Sequence, residues 1–211
     1  MSSFDIVDSF ERKVADFAGA KHGISVNTGT SAIFLCLQWK NISTTYRGAI
    51  SLPARTFISV PMECIKCGYD VEFQDYVWKG VYPLTPFDIY DSACRFRKNM
   101  YKGGLHCLSF QARKILNIGE GGMILTDDDD AAKWLKKARY SGREEPFFKI
   151  EDIDMIGWQL YMTPEKAGRG LHLMDYVVNE AADQLIQYPD LREVKYFKDL
   201  YVSRRKEIRA A

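Results

Sequence analysis

An α/β fold built on a mainly parallel sheet is what this sequence predicts. Two observations carry that expectation. Short apolar runs of strand character alternate with amphipathic helical stretches. The 211 residues, 46% of them hydrophobic and 13% aromatic, also suffice for one sizeable domain with a packed core and leave no reason to expect disorder. In order, "DIVDSFERKVADFAGA" places Ile6, Phe10, Val14 and Phe17 at helical spacing, and Gly19 can end that helix. "HGISV" reads as a strand, and "NTGTSAIFLCLQWKN" as a turn into a helix with Thr28 and Thr30 near its start. "GAISL" is a further strand, followed by "PARTF" and a helix to about residue 68. "YDVEF", "FDIY", "LHCLSF" and "GMILT" complete the strands. "DDDDAAKWLKKARYSG" begins with acids and ends with bases, which suits a helix macrodipole. The alternation stops after about residue 145. From Thr163 the chain reads as helical, broken at Tyr188–Pro189, and "DLREVKYFKDLYVSRRKEIRAA" reads as a long charged final helix.

Composition removes several function classes. The formal net charge is +1, from 29 basic and 28 acidic residues, so neither nucleic acid nor an anionic membrane is an expected partner. No apolar run approaches the ~18–20 residues that span a bilayer. The start "MSSFDIVDSFERK" has no export-signal pattern, so the cytoplasm is the expected compartment. Five cysteines fit a reducing environment. Cys64 and Cys67 form a lone C-x-x-C without a second pair at zinc spacing. Core packing is the favoured reading, with metal or redox roles as the alternative. The "DDDD" run at 127–130 is read as a solvated helix cap rather than a cation site, and no metal site is expected.

In an open α/β sheet, ligands gather at the carboxyl ends of strands. Four features fall there. "NTGTSA" follows "HGISV", and a glycine with hydroxyls at a helix start can cradle a phosphate or simply cap the helix. Phe57 in "PARTF" can stack on a flat ligand or pack in the core. Asp91 in "DIYDSA" can hold a cationic ring nitrogen or a structural ion pair. Ser109 and Lys114 open "SFQARKILNIGEGG", where a lysine before a tight turn is either a surface cation or a nucleophilic amine. No single feature decides. Together they supply a phosphate cradle, a stacking ring, a ring-nitrogen carboxylate and a Schiff-base amine, the set that pyridoxal phosphate requires.

On these motifs the chain resembles the DegT/DnrJ/EryC1/StrS sugar aminotransferases, as an unusually short member. The likeness runs from "FERKVADFAGAKHGISVNTGTSAIFLCL" through "SFQARKILNIGEGGMILTDDDDAAKWLKKARYSG" to "GWQLYMTPEKAG". It implies a fold-type I pyridoxal-phosphate transferase large domain, three-layer αβα, over residues 1–187. Residues 188–211 would be a C-terminal helix, the remnant of a small domain reduced to helices. It further implies that Lys114 forms the internal aldimine and that Ser109, with Gly29, Thr30 and Ser31, binds the cofactor phosphate. Phe57 would stack on the ring, Asp91 would hold the pyridine nitrogen, and Gln159 would reach a neighbour's cofactor phosphate in a homodimer.

Departures from the family pattern accompany the match. Gln111 replaces the histidine of Ser-Phe-His. Cys94 stands where the family has Gln or His, and Tyr161 where it has Arg. The family's N-terminal arm is not recognisable. The resemblance implies an aminotransferase moving an amino group from an amino acid, glutamate above all, to a 2-oxo acid or a nucleotide-linked keto sugar. Two rivals are a pyridoxamine-dependent sugar dehydratase, whose relatives carry histidine at the Lys114 position, and a non-catalytic or regulatory cofactor-binding protein.

Overall fold

The computed structural model describes residues 4–144 and 153–199. The named strands and α-helices follow one another in this order: α1 (Asp5–Ala18), β1 (His22–Val26), α2 (Gly29–Ser43), β2 (Ala49–Pro53), α3 (Ser59–Lys66), β3 (Asp70–Gln74), β4 (Tyr82–Pro83), β5 (Ile89–Asp91), β6 (Leu105–Ser109), β7 (Gly122–Thr126), α4 (Asp129–Ala138) and α5 (Pro164–Leu173). A five-stranded sheet has the order β1-β7-β6-β5-β4, and β2 pairs with β3 in parallel. An antiparallel bridge between Ser51 and Thr85 joins the two sheets.

The sheet is mixed. β5 and β6 are parallel, while β7 is antiparallel to both β1 and β6, and β4 is antiparallel to β5. The bridge at Thr85 fixes β2 and β3 in the sense of β5. Thus β1, β2, β3, β5 and β6 run one way and β4 and β7 the other. Chain length between strands explains the direction of β4 relative to β5. A parallel return needs a crossover of a dozen or more residues, usually a helix. The five-residue 84–88 connection is too short for one and returns antiparallel, whereas the 92–104 connection returns parallel without an α-helix.

Alternation along the central strands sorts the core into two halves. In β7, Ile124 joins one buried cluster, with Ile24, Leu35, Leu37 and Leu135, whereas Met123 and Leu125 join the other, with Phe10, Val14, Met162 and Ala167. Period-two side chains therefore face α2, α3 and α4 on one side and α1 and α5 on the other, giving three αβα layers.

The helix termini follow from local chemistry. Gly19 ends α1 at φ 82°, a left-handed cap that glycine adopts without steric penalty. Asp128 caps α4 by accepting from the N–H groups of Asp130 and Ala131, so the acidic run is a cap. Cys64 and Cys67 are buried in the core. Burial pushes the Cys67 thiol up to about 12, and Cys64 is also raised, so both remain neutral thiols.

Two expectations are corrected. The buried face of α1 is Val7, Phe10, Val14 and Ala18, and Ile6 is exposed. The face is rotated because Glu11 turns inward to a buried Arg139. The helical reading from Thr163 holds for α5 and one following 3-10 turn at Met174–Tyr176, but residues 177–190 form no helix. Long-range bonds hold that stretch extended: Lys98 N–H donates to Asn179 O and Gln184 N–H to Cys94 O, at 2.9 Å each. Asp183 also takes a bidentate pair of bonds from Arg95. The final helix begins with a 3-10 turn at Leu191–Glu193, and its continuation past residue 199 lies outside the described residues.

Candidate active site

The common direction of β1, β2, β5 and β6 brings their carboxyl ends to one edge. β1 leads into Thr28 and Gly29, β2 into Thr56 and Phe57, β5 ends at Asp91 and β6 at Ser109.

The start of α2 lies against the end of β6. A Cβ on Gly29 would sit 2.8 Å from Ser109 Cβ and 3.2 Å from Leu108 O, and one on Gly122 would sit 2.5 Å from the carbonyl of Thr28. Only glycine permits that approach at either position. Thr28, the N-cap, accepts from Ser31 N–H at 3.0 Å, and its hydroxyl meets Ser31 Oγ at 2.8 Å. Thr30 Oγ1 meets Ser59 Oγ at 2.8 Å, tying α2 to α3. Gly29, Thr30 and Ser31 thus form the first turn of α2, with Gly29 packed against Ser109. The first N–H groups of a helix have no intrahelical acceptor and favour an anion there.

Asp91 is buried. Its Oδ1 accepts from Ala93 N–H at 2.9 Å and its Oδ2 from the Tyr82 hydroxyl at 2.7 Å. Burial raises its carboxyl above the ordinary value, opposed by those two bonds and by the positive charge of Lys114. The Lys114 amine donates to Cys94 Sγ at 3.7 Å. Burial raises the Cys94 thiol as well, leaving it a neutral neighbour. The amine is placed by its own backbone turn, in which Lys114 N–H donates to Gln111 O and Arg113 N–H to Gln111 Oε1. Gln111 therefore shapes the lysine loop at the histidine position of the family pattern.

Phe57 is 52% exposed and makes an edge contact with Tyr188, ring centres 6.4 Å apart. Tyr188 also stacks on Trp78 at 6.0 Å, and its hydroxyl lies 3.9 Å from Cys94 Sγ. Gln159 stands apart from this cluster. It is exposed, and its Oε1 accepts from Ser141 Oγ at 3.1 Å. Tyr161 stacks on Tyr140 at 4.8 Å instead of reaching the cluster. Thr56, Tyr82 and Tyr188 are neighbours of the site that sequence reasoning missed. Each is brought in by a non-local pairing. Only Thr56, one residue before Phe57 at the end of β2, carried a positional signal.

The donor set fits pyridoxal phosphate: glycine-permitted close packing at a helix start for the phosphate, a buried acid for the ring nitrogen, and an amine close enough to that acid to act on its ionisation.

The fold is shared with solved structures. The Helicobacter pylori PseC, "aminotransferase involved in the biosynthesis of pseudoaminic acid", aligns with a TM-score of 0.72 at 14% identity over 95% of this chain and 84% of its own. The 3-amino-5-hydroxybenzoic acid synthase aligns at 0.67 and 21% identity over 82% and 56%. Residues 1–83 and 97–188 match the DegT/DnrJ/EryC1/StrS aminotransferase family, and the chain belongs to it. Among curated relatives, the GDP-perosamine synthase of Caulobacter vibrioides is 24% identical over 80% of this chain and 56% of its own length. The Bacillus subtilis spore coat polysaccharide biosynthesis protein SpsC is 26% identical over 79% and 55%. The chain thus spans about half the length of these curated relatives. The family match passes over residues 84–96, which hold Asp91 and Cys94.

Proposed function

We propose that this chain performs pyridoxal-phosphate-dependent transamination from an amino acid donor, glutamate first, to a carbonyl acceptor of the nucleotide-linked keto-sugar class, as a homodimer in the cytoplasm. The observation that supports the reading is the Lys114 amine 3.7 Å from Cys94 Sγ, three residues beyond buried Asp91, in a chain where Gly29 packs against Ser109 at the strand ends. When bound, the cofactor would supply an electron sink for the carbanion formed at the donor Cα. The protein's residues would do the rest. Gly29, Thr30, Ser31 and Ser109 hold the phosphate, Phe57 covers the ring, and Asp91 keeps the ring nitrogen protonated. Lys114 would carry the proton taken from the donor Cα. Family membership and sugar-pathway relatives support the acceptor class. No helix among the described residues is long and apolar enough to cross a membrane.

Borohydride reduction of the protein loaded with pyridoxal phosphate should tag Lys114. Lys114→Ala should lose that covalent attachment and all glutamate-dependent conversion of the absorbance spectrum. A tag on a different lysine would overturn the assignment. A wild-type protein whose spectrum never responds to amino donors would favour a non-catalytic cofactor binder.

A further inference from the structure

We propose that Thr56 and Tyr82 form a one-way hydrogen-bond relay that orients Asp91, which makes Tyr82 a positioning residue of the site. The inference rests on the reading of Asp91 as the acid that faces the cofactor's ring nitrogen. Its ground is geometric. Thr56 Oγ1 and the Tyr82 hydroxyl lie 2.5 Å apart, and the Tyr82 hydroxyl lies 2.7 Å from Asp91 Oδ2. All three residues are buried.

A phenol has one proton. Tyr82 donates it to Asp91, so within the Thr56–Tyr82 pair the donor is Thr56. Both hydroxyls then point their protons toward the carboxylate. Ala93 N–H adds a second donor on the other oxygen. The two oxygens of an ionised carboxylate offer about four acceptor positions. Asp91 is therefore fixed from two sides and still has capacity for a further donor.

The relay depends on an unusual piece of the fold. Tyr82 sits on the two-residue strand β4, whose register places it opposite Asp91. Thr56 follows β2, in the neighbouring sheet. The relay thus locks two sheets together at the point where the acid projects. The remaining titratable groups near Asp91 are Lys114, Cys94, Cys107 and Tyr188. Burial raises both thiols and the phenols of Tyr82 and Tyr188 above their ordinary values.

The test is the titration of the Asp91 carboxyl by carbon NMR in the cofactor-free protein, with the dissociation constant of pyridoxal phosphate as the second readout. Tyr82→Phe, which keeps the ring and removes the donor, should raise the Asp91 midpoint by about one pH unit and weaken cofactor binding about tenfold. Thr56→Val should shift the midpoint the same way by less, and Thr56→Ser should titrate as wild type. A Tyr82→Phe midpoint equal to wild type would overturn the relay. If Tyr82→Phe fails to fold, the Thr56→Val midpoint decides by the same criterion. Failure of the functional reading looks different: Asp91→Asn would then bind the cofactor with wild-type affinity and spectrum, whatever Tyr82 does to the midpoint.

Discussion

His106, opposite Tyr90 in the sheet, shows how one buried side chain couples this fold to pH. It sits on β6, stacked against Tyr90 at 4.7 Å and edge-on to Tyr101 at 5.2 Å. Its Nδ1 shares a 2.9 Å hydrogen bond with Ser92 Oγ. Burial pushes the imidazole down to about 4 from an ordinary 6.5. Between those values the unfolded chain binds a proton that the folded chain refuses. Stability therefore rises with pH across that window and is lost as pH falls from 6.5 toward 4. The full effect is about 3 kcal/mol. Asp91 contributes the opposite sign, because a raised carboxyl favours the folded state where it is still protonated. Urea unfolding of wild type and His106→Leu at several pH values isolates the histidine, since the Asp91 contribution is common to both. The wild type should lose stability on acidification more steeply than the variant. Equal slopes would show that water reaches the ring.

At the scale of elements, the middle of α1, the strand β1 and the end of α4 are joined by a buried ion pair. Arg139 Nη1 donates to Glu11 Oε1, to Ser25 O at 2.7 Å and to Ser25 Oγ at 3.2 Å. Glu11 Oε1 also accepts from Ser25 N–H at 2.8 Å. Both ionic side chains are under 5% exposed. Glu11 interrupts the apolar face of a helix, a position that a hydrophobic-period rule assigns to the surface, and it turned the observed face away from Ile6. Removing Arg139 takes the ion-pair partner from a Glu11 carboxylate buried in the core. Arg139→Met and Glu11→Leu should each destabilise by about 3–5 kcal/mol, and the double variant by much less. The measurement is the shift in denaturant midpoint at unchanged slope. Additive single and double effects would mean that the pair does not act as a unit.

For the whole molecule, the arrangement of the site bears on assembly. Within one chain Gly29 packs against Ser109 and the Lys114 amine lies 3.7 Å from Cys94 Sγ, whereas Gln159 is exposed and Phe57 is half uncovered. If Gln159 serves a second copy across a two-fold axis, the contact occurs twice. Mixed dimers then offer a test. A Lys114→Ala chain paired with a Gln159→Ala chain contains one site with both native residues. Co-refolded mixtures should recover transamination above either homodimer. No recovery, together with full activity of a monomer in sedimentation, would place Gln159 outside the reaction.

Local patterns in the sequence were enough for much of this molecule. The α2 and α4 caps, the strands from β1 to β7 except β4, the glycine turn of α1 and the lysine loop all depend on residues within a few positions of one another. Capping, period-two burial and turn chemistry act over that range, so they are legible in one dimension. The resemblance motifs carrying Gly29, Ser109 and Lys114 lie in such segments. What only the tertiary structure decided depends on contacts between distant residues. The direction of β4 and β7, the extended course of residues 177–190, and the placing of Tyr82, Thr56 and Tyr188 around Asp91 and Cys94 are of this kind. A strand of two residues has no period to read, and a chain held by bonds to Cys94 and Arg95 has no local reason to refuse a helix. Tertiary bonds override weak local propensity there, because each satisfies a backbone or charged group that would otherwise be buried without a partner.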